Sequence, residues 1–470
     1  GVTTDVNTHI DEVLSTLTQY KATSNMSAGA LVNLGLDADG NDACLPASSA
    51  TPTPLTLLSS NHTHGLQVYG DSSFSLYITI AMRTSDANRY IDIVPEKQLS
   101  NYTVSTGSTF STLYSTNIDT STYPQYYYGD TPFSVKIDEG HFAIGFLDYK
   151  LISSTVYHQV ARIFIFSIDS AMTITKLSEY ELDYNSINGA TTHLGLFVGK
   201  SIKYLPTTKN FRMLPIYVVN ADPRLMPSSF TLNTSTYTIT SSSATLVSLT
   251  GSLAYNDTLS TEYDPYHFSS DPEYDFNFCF GCRNSNAITS KIYKVNANGT
   301  LSETVANSAF QYDYNYSMTT RCFSTRNYIF AGSGYQRGDN IDNDFAVYTN
   351  TGVSIINATN SAAYQYFNND YYATFVHSQL SPTYFIIVQI KNDGTGTYDE
   401  KFYQISGTTA TLISTNTSQT GVPNVAHFYG LKYRLKDKIY WFNPSNLRDA
   451  GFTQAAVTAG NLVYVQLLQK

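Results

Sequence analysis

The first twenty residues carry a helical pattern of apolar positions. Val6, Ile10, Val13, Leu17 and Tyr20 are separated by alternating steps of four and three residues, which is the spacing of the a and d positions of a coiled coil. The spacing predicts a helix over residues 1–20 that joins sister chains, most readily three around one axis. The alternative is an amphipathic helix that packs on its own domain, since so short a coiled coil is not stable alone.

From Leu66 onward the pattern changes to short strands, most of which begin with an aromatic residue. Runs such as 163–166 and 385–388 are apolar at every position, which indicates strands that are buried on both faces. The strands recur at intervals of 52, 52, 82, 52, 44 and 56 residues. They begin at Tyr90, Phe142, Leu194, Phe276, Tyr328, Tyr372 and Phe428.

Repeats of this length are typical of the blades of a β-propeller. The sequence therefore predicts an all-β fold with a β-propeller over residues 66–470, which has seven blades, or six if the first or last repeat is a closing strand. A double β-sandwich is the alternative. The longest interval predicts an insertion over residues 237–270. Strands at 75–80 and 462–468 are expected to share the blade that closes the ring.

Residues 21–45 favour a small β-module with two tight turns. The run ATSNMSAGALVNLGLDADGNDACL within it resembles the A-x-G-x-I-A-A-G-x-x-V-x-L-N-x-D-G-x-V module of bacteriophage tail fibres and related virion appendages. The resemblance implies a virion appendage whose head is the propeller. Residues 46–65 contain three prolines and are predicted to be a linker between module and head.

Composition limits the classes of function. The 470 residues include 14% charged and 14% aromatic side chains, and the net charge is −10. The aromatic fraction indicates a folded chain, because disordered chains are poor in aromatic residues. The basic residues are scattered singly, so binding to nucleic acid is not expected. No apolar run approaches the ~18 residues of a membrane span.

The four cysteines leave three interpretations open. Cys279 and Cys282 form a lone CxxC, and Cys44 and Cys322 lie far from it along the chain. The pattern is compatible with buried free thiols, with a structural disulfide, or with metal or redox chemistry. A second pair at zinc-knuckle spacing is missing, and a redox CxxC normally begins a helix. Buried thiols are therefore the favoured interpretation.

One acidic run predicts a cation site, and no other cofactor is expected. Asp339, Asp342 and Asp344 provide enough carboxylates for Ca²⁺ in a chain that is otherwise poor in charge. Residues 37–42 also carry Asp at alternate positions. They lack the downstream bidentate Glu of a calcium loop, so an Asp-Gly turn is the favoured interpretation there.

Tyrosines form the candidate binding surface. The sequence contains no Gly-x-Ser-x-Gly elbow, His-Glu-x-x-His helix or nucleotide loop, so we expect no catalytic activity. Tyrosine offers a large amphipathic contact area for little rotamer entropy, which suits binding of protein or sugar. The alternative is that these rings cap the core at the water boundary. The predicted binding residues are Tyr312, Tyr314, Tyr316, Tyr364, Tyr366, Tyr371 and Tyr372.

These patterns predict a non-enzymatic structural or recognition protein of a virion appendage or extracellular fibre. Its expected partners are a host-surface glycan or protein, its own subunits and other fibre proteins. Its expected location is the virion surface or the cell exterior. Two alternatives stay open: a secreted propeller enzyme that acts on polysaccharide, and a cell-surface adhesin or lectin.

Overall fold

The computed structural model describes the strands and most of the turns of the chain. Contacts divide the chain into two compact units, one with residues 1–53, 375–433 and 441–470 and one with residues 54–374 and 434–440. The described residues are 17–26, 28, 31–36, 39, 42–46, 63–70, 74–85, 88–99, 104–115, 133–153, 156–188, 197–198, 202–219, 222–248, 260–261, 274, 276–284, 287–305, 311–313, 318–337, 340–359, 375–381, 384–390, 398–419, 433–435, 438–440, 450–453 and 455–467.

The first part of the chain forms three short strands and then two antiparallel sheets. The short strands are β1 (Leu17–Ala22), β2 (Leu31–Leu36) and β3 (Asp42–Pro46). Sheet 1 contains β4 (Thr63–Gly70), β5 (Phe74–Ser85), β6 (Asn88–Leu99), β7 (Val104–Thr106) and β8 (Phe110–Ser115), the last two both paired with β6. Sheet 2 contains β9 (Phe133–Asp138), β10 (His141–Ser153), β11 (Val156–Ile168) and β12 (Ile174–Asp183), followed by helix α1 (Tyr184–Asn188).

Sheet 3 consists of two hydrogen-bonded ladders whose strands are interleaved along residues 197–248. One ladder joins β14, β15, β18 and β19, and the other joins β13, β16, β17 and β20. Their bounds are β13 (Phe197–Val198), β14 (Ile202–Leu205), β15 (Asn210–Met213), β16 (Ile216–Val219), β17 (Asp222–Leu225), β18 (Ser228–Asn233), β19 (Thr238–Ala244) and β20 (Val247–Ser248).

Three further sheets complete the series. Sheet 4 contains β21 (Ser260–Thr261), β22 (Asn277–Asn284), β23 (Ala287–Val295), β24 (Leu301–Val305) and β25 (Gln311–Asp313), with β25 paired to β23. Sheet 5 contains β26 (Met318–Ser324), β27 (Tyr328–Arg337), β28 (Asn340–Thr349) and β29 (Ser354–Thr359). Sheet 6 contains β30 (Phe375–Ser381), β31 (Tyr384–Ile390), β32 (Tyr398–Ser406) and β33 (Thr409–Gln419).

Both termini of the described chain meet in a closed five-stranded barrel. A hairpin of β34 (Tyr433–Leu435) and β35 (Lys438–Tyr440) precedes β36 (Ala450–Thr453) and β37 (Leu462–Leu467). The barrel order is β1–β3–β2–β36–β37, and β37 pairs back to β1. Its core contains Val32, Cys44 and Val465. The predicted pairing of 75–80 with 462–468 is wrong, because β5 pairs with β4 and β6 while Val465 helps to fill the barrel.

The domain boundaries predicted near both termini also change. Leu17 and Tyr20 lie in β1, so the predicted helix over residues 1–20 is wrong at its end. The backbone of this segment pairs with β37 instead of forming helical hydrogen bonds. Val6, Ile10 and Val13 lie outside the described residues, so their role in oligomerisation stays a prediction. The segment 450–467 belongs to the barrel and not to the predicted propeller of 66–470.

The main core forms because sheet 2 is buried on both faces. Phe164 and Phe166 of β11 pack on sheet 1 with the aliphatic side chains of β5 and β6. Ile163 and Ile165 point to the other face and pack with side chains of sheet 3 such as Phe211. Alternate residues of a strand face opposite sides, so an unbroken apolar run requires a neighbouring sheet on each side. The apolar run at 163–166 therefore predicted this packing correctly.

The described part of the chain is therefore all-β, as predicted, and outside the terminal barrel and the β34–β35 hairpin it consists of successive antiparallel sheets, most of which are built on a four-stranded meander. Such meanders are the blades of a β-propeller, and first strands of successive sheets lie side by side, as β4 and β9 do. The number of blades stays a prediction. Within the described segments, no helix has the length and apolar character needed to cross a bilayer.

The predicted insertion over residues 237–270 is wrong in its first part. Residues 238–248 form the last strands of sheet 3 rather than a loop. Pro215 and Pro227 separate the two ladders of this sheet, because proline has no N–H to give to a strand neighbour. The carbonyls of these prolines still accept hydrogen bonds from Met226 and Thr245. The sheet therefore continues through both prolines, although each strand segment is short.

In sheets 2 to 5, the turn between the third and fourth strands packs on the preceding sheet. We call it the third turn, and it contains one residue with positive φ. In sheets 4 and 5 this residue is Gly299 (φ 72°) or Gly352 (φ 82°). A Cβ on Gly352 would lie 2.2 Å from the carbonyl oxygen of Thr304 in sheet 4, and one on Gly299 would lie 2.6 Å from that of Ser243 in sheet 3. Glycine at these turns thus permits the close approach of neighbouring sheets.

Replacing Gly352 with Ala should destabilise the protein more than the same change at Gly407. Both residues have positive φ in a third turn, where a non-glycine residue costs about 1–2 kcal/mol. Only Gly352 has a carbonyl at clashing distance, whereas a Cβ on Gly407 meets nothing within 4 Å. We expect Gly352→Ala to lower the free energy of unfolding in urea by about 3 kcal/mol or more and Gly407→Ala by about 1 kcal/mol. Equal losses would contradict the tight sheet contact.

Candidate functional site

The structure describes only one of the seven predicted binding tyrosines. Tyr312 lies in β25, where it pairs with Ile288 of β23, so it belongs to a short strand and not to a loop. The other six residues lie outside the described residues, and their role in binding stays a prediction. They are Tyr314, Tyr316, Tyr364, Tyr366, Tyr371 and Tyr372.

Most of the acidic run lies in a strand. Asp342 and Asp344 lie in β28, and the ladder between β27 and β28 extends to the pair Arg337 and Asn340. Strand pairing therefore takes up most of the run, while Asp339 lies outside the described residues. Within the described ranges no group of three or more His, Cys, Asp or Glu side chains could hold a metal ion. A Ca²⁺ site at this hairpin stays a prediction.

Two of the cysteines are buried free thiols. Cys44 lies in the barrel core, where burial raises the pKa of its thiol against the smaller, opposing effect of a backbone hydrogen bond. Cys322 is buried in sheet 5. Cys279 and Cys282 lie in strand β22, as the run Phe-Asn-Phe-Cys-Phe predicted. For Cys44 and Cys322 the interpretation as buried thiols is confirmed.

An aromatic and ionisable cluster lies where sheets 2 and 3 meet, and we call Asp138, His141 and Tyr237 the junction site. Nδ1 of His141 lies 2.5 Å from Oδ1 of Asp138, and the hydroxyl of Tyr237 donates to Oδ2 at 2.9 Å. The imidazole and phenol rings stack with their centroids 3.9 Å apart. The carboxylate thus fixes both rings in one orientation.

The junction site is open to solvent on one side. The side chain of His141 is 26% exposed and that of Asp138 is 44% exposed. Nε2 of His141 makes no hydrogen bond to any residue in the described part of the chain. A ligand could therefore bind Nε2 at the exposed edge of the His141 ring. Asp138 already fixes the orientation of this ring. Such a group can hydrogen-bond a hydroxyl of a ligand or act as a general base.

Turn geometry positions Tyr237. It occupies the third turn of sheet 3 with φ 50°, at the place where sheets 4 and 5 have Gly299 and Gly352. A side chain in this conformation costs about 1–2 kcal/mol, so its contacts must offset the strain. The hydroxyl of Ser178 in sheet 2 donates to the Tyr237 carbonyl and fixes the turn.

Sequence reasoning missed the junction site because it placed Tyr237 at the start of an insertion. The signal that could have found it is the comparison of third turns. Residues 233–238 read Asn-Thr-Ser-Thr-Tyr-Thr, whereas residues 296–300 read Asn-Ala-Asn-Gly-Thr. A tyrosine in the position of a turn glycine marks a place where a side chain is retained despite backbone strain.

The surroundings of Tyr237 keep its hydroxyl protonated. Burial, the hydrogen bond to Asp138 and the negative charge of that carboxylate together raise the pKa of Tyr237 to about 12. The phenol is therefore neutral and donates its proton to Asp138 over the physiological range. The Asp138 carboxylate accepts this hydrogen bond. His141 is the group of the junction site that can face a ligand.

A second His–Asp pair lies at the other end of sheet 2. Nδ1 of His158 lies 2.6 Å from Oδ2 of Asp183. Asp183 also accepts hydrogen bonds from the amide and hydroxyl of Ser186 in α1. Burial acts to raise the pKa of Asp183, but the hydrogen bonds from His158 and Ser186 outweigh it and lower the pKa. Asp183 thus caps the helix start, so this pair has a structural role.

A network of buried charges ties sheet 1 to sheet 2. The side chain of Asp148 is fully buried, and its two oxygens each lie 3.1 Å from a guanidinium nitrogen of Arg89 or Arg162. Arg162 also contacts Glu179 at 3.2 Å and Glu181 at 2.9 Å. This network contacts both sheets through buried atoms, so it stabilises their packing.

Comparison with known proteins gives no relative by sequence. No protein-family model and no curated protein matches the chain. Solved structures match it in shape at low similarity. Prolyl oligopeptidase B from Galerina marginata matches at 8% identity with a TM-score of 0.36 over 86% of this chain and 48% of that chain, so this chain spans about half its length.

Two other structures match over nearly their whole length. The Aleuria aurantia lectin in complex with α-methyl-L-fucoside has 9% identity and a TM-score of 0.28, and covers 79% of this chain and 99% of its own. An oligogalacturonate lyase in complex with manganese has 11% identity and a TM-score of 0.32, and covers 94% and 98%. At these TM-scores the likenesses carry no argument about the function of this chain.

Replacing Asp148 with Asn should strongly destabilise the contact between sheets 1 and 2. The change leaves two buried guanidinium groups without their shared carboxylate, which typically costs about 3–5 kcal/mol. Glu303→Gln is the matched control, because Glu303 pairs with Lys291 on the surface and such pairs contribute about 0–1 kcal/mol. Urea unfolding compares the two variants. A loss below 1 kcal/mol for Asp148→Asn would contradict the role of the network.

Replacing Tyr237 with Phe should remove a pH-dependent contribution to stability. The folded-state pKa of about 12 lies above 10.0, the ordinary pKa of a tyrosine in an unfolded chain. The contribution is therefore fully present below pH 10 and is lost as the pH rises through 12. We expect the stability difference between wild type and Tyr237→Phe in urea to shrink over that range. A difference that stays constant from pH 8 to pH 12 would contradict the contact with Asp138.

Proposed function

We propose that this chain is a non-enzymatic recognition protein that binds a sugar or protein ligand through the junction site. The observation that supports this most is the exposed edge of His141, held by Asp138 and stacked on Tyr237. A rigid aromatic surface beside fixed hydrogen-bonding groups suits ligand hydroxyls, because little entropy is lost on binding. Alternating turns of a meander lie at the same edge of a sheet, so neighbouring turns extend this surface.

The tyrosine-rich segments extend the same proposal. The six predicted residues outside the described ranges fall between β25 and β26 and between β29 and β30, where one sheet connects to the next. Binding to a host glycan or protein at these segments would be separate from binding at the junction site, because the last strand of a sheet ends at the edge opposite to the first and third turns. A location on a virion appendage or extracellular fibre is supported by the tail-fibre resemblance of residues 22–45 and by the low content of charged residues.

Binding should depend on His141 and not on His158. We expect His141→Ala to weaken binding to glycans of an array of bacterial and eukaryotic surface sugars by at least tenfold, because the outward-facing hydrogen-bonding group is lost. His158→Ala is the matched control, since it removes the other His–Asp pair of the same sheet. Circular dichroism checks that both variants fold. Equal binding by wild type and His141→Ala to every retained glycan would refute this site.

The enzymatic alternative predicts a different outcome for Asp138. A His–Asp pair with a free nitrogen is also the arrangement of a general base. Incubation with bacterial and algal polysaccharides, followed by an assay for new reducing ends, distinguishes the two functions. We expect no release above the background of a heat-denatured sample. Sustained release that disappears in Asp138→Asn would establish an enzyme and overturn the binding-only proposal.

A further inference from the structure

Arg212 differs from the other buried arginines of the described residues. Arg89 and Arg162 are both buried beside the carboxylate of Asp148. Arg212, on β15 of sheet 3, is only 2% exposed, yet no carboxylate in the described part of the chain pairs with it. Buried charges are normally paired, because an isolated ion is costly to remove from water.

The guanidinium of Arg212 is only partly hydrogen-bonded. Nη1 donates to the hydroxyl of Ser229 at 2.5 Å and to the carbonyl of Phe211 at 3.4 Å. Nε is buried and has no acceptor among the described residues. Burial lowers the pKa of Arg212 to about 10, so the side chain is still charged at neutral pH. A buried cationic donor is thus left without an acceptor.

A second buried cation lies directly across the ladder. Lys203 on β14 pairs in register with Arg212 on β15 and is only 3% exposed. Its ammonium donates to the carbonyls of Asn277 at 2.5 Å and Cys322 at 3.0 Å, in sheets 4 and 5. Directly opposite residues of neighbouring strands share a face and lie about 5 Å apart at Cβ, so two like charges there repel.

The face of sheet 3 that carries this pair is polar. Ser229 lies opposite Arg212 on β18, and its hydroxyl and that of Thr231 donate to the side chain of Asn210. The other face of the same strands is apolar and packs on sheet 2. The two cations therefore lie on a polar surface, from which Lys203 reaches sheet 4.

We propose that Arg212 and Lys203 hold a small monovalent anion of the chloride class between sheets 3 and 4. The anion accepts the buried Nε–H of Arg212, which has no acceptor among the described residues, and its charge offsets the cost of burying the guanidinium. The near-complete enclosure of both side chains favours a single-atom anion over a larger oxyanion. The site is separate from the junction site, so the inference goes beyond the proposed function.

Thermal unfolding in different salts tests the proposal. Anion binding to the folded state raises the unfolding temperature. We expect the wild type to unfold roughly 2–4 °C higher in sodium chloride or bromide than in sodium gluconate of equal ionic strength. Arg212→Met should lose this difference. Lys209→Asn is the control that keeps it, because Lys209 is an exposed cation in the turn of the same hairpin. An equal response in wild type and Arg212→Met would overturn the proposal.

The first arm of a crystallographic test uses the wild type, which avoids a variant that could fail to fold. Crystals of the wild type grown in sodium bromide, measured at the bromine absorption edge, should show an anomalous peak within hydrogen-bonding distance of Arg212 Nε. Lys203→Met should reduce the occupancy of this peak. Electron density for the pair without an anomalous peak beside it would overturn the proposal, as would a peak that is unchanged in Lys203→Met.

Discussion

Burial of strand β11 on both faces is the constraint on which the arrangement of sheets depends. Phe164 and Phe166 face one neighbouring sheet and Ile163 and Ile165 face the other. A hairpin with one solvated face could not accommodate four consecutive apolar residues. Within residues 54–374 the chain meets this requirement by forming successive sheets, each packed against the next. The hydrophobic contribution of this packing stabilises the whole series.

The contacts between sheets also decide where chemistry can occur. Third turns approach the preceding sheet so closely that Gly299 and Gly352 leave no room for a side chain. Sheet 3 departs from this rule with Tyr237, whose ring and hydroxyl contact sheet 2. The same contact that joins two sheets therefore brings a carboxylate, an imidazole and a phenol together at the solvent boundary. The residues that join sheets 2 and 3 at this point are therefore also the residues of the proposed binding site.

Much of the fold was predictable because its signals are local. Strand periodicity, aromatic residues at strand starts and Asn-Gly or Thr-Gly turns indicate hairpins directly. The last strands of sheet 3 were predicted to be an insertion because residues 238–248 are rich in Ser and Thr and show little apolar alternation. The barrel was missed for another reason. Its pairing of β1 with β37 joins residues some 450 positions apart in sequence, and such a pairing leaves no local pattern.

The candidate site was less predictable than the fold. The tyrosine clusters are visible in the sequence because several tyrosines lie close together, whereas Tyr237 lies alone in a Ser/Thr-rich stretch. Its importance comes from contacts with Asp138 and His141, which lie about a hundred residues earlier. Nothing in the sequence near Tyr237 shows that these residues meet it. Only the comparison of equivalent turns would have distinguished this tyrosine from the others.

Hydrogen–deuterium exchange of the native chain tests the docking of third turns on preceding sheets most directly. The amides of residues 296–300 and 349–353 lie in turns that pack on a neighbouring sheet and contain internal hydrogen bonds. Exchange of a docked turn requires the opening of the sheet contact. The account predicts that these peptides exchange as slowly as the adjoining strands β23 and β28. Rapid exchange of both turns, with the strands still protected, would contradict it.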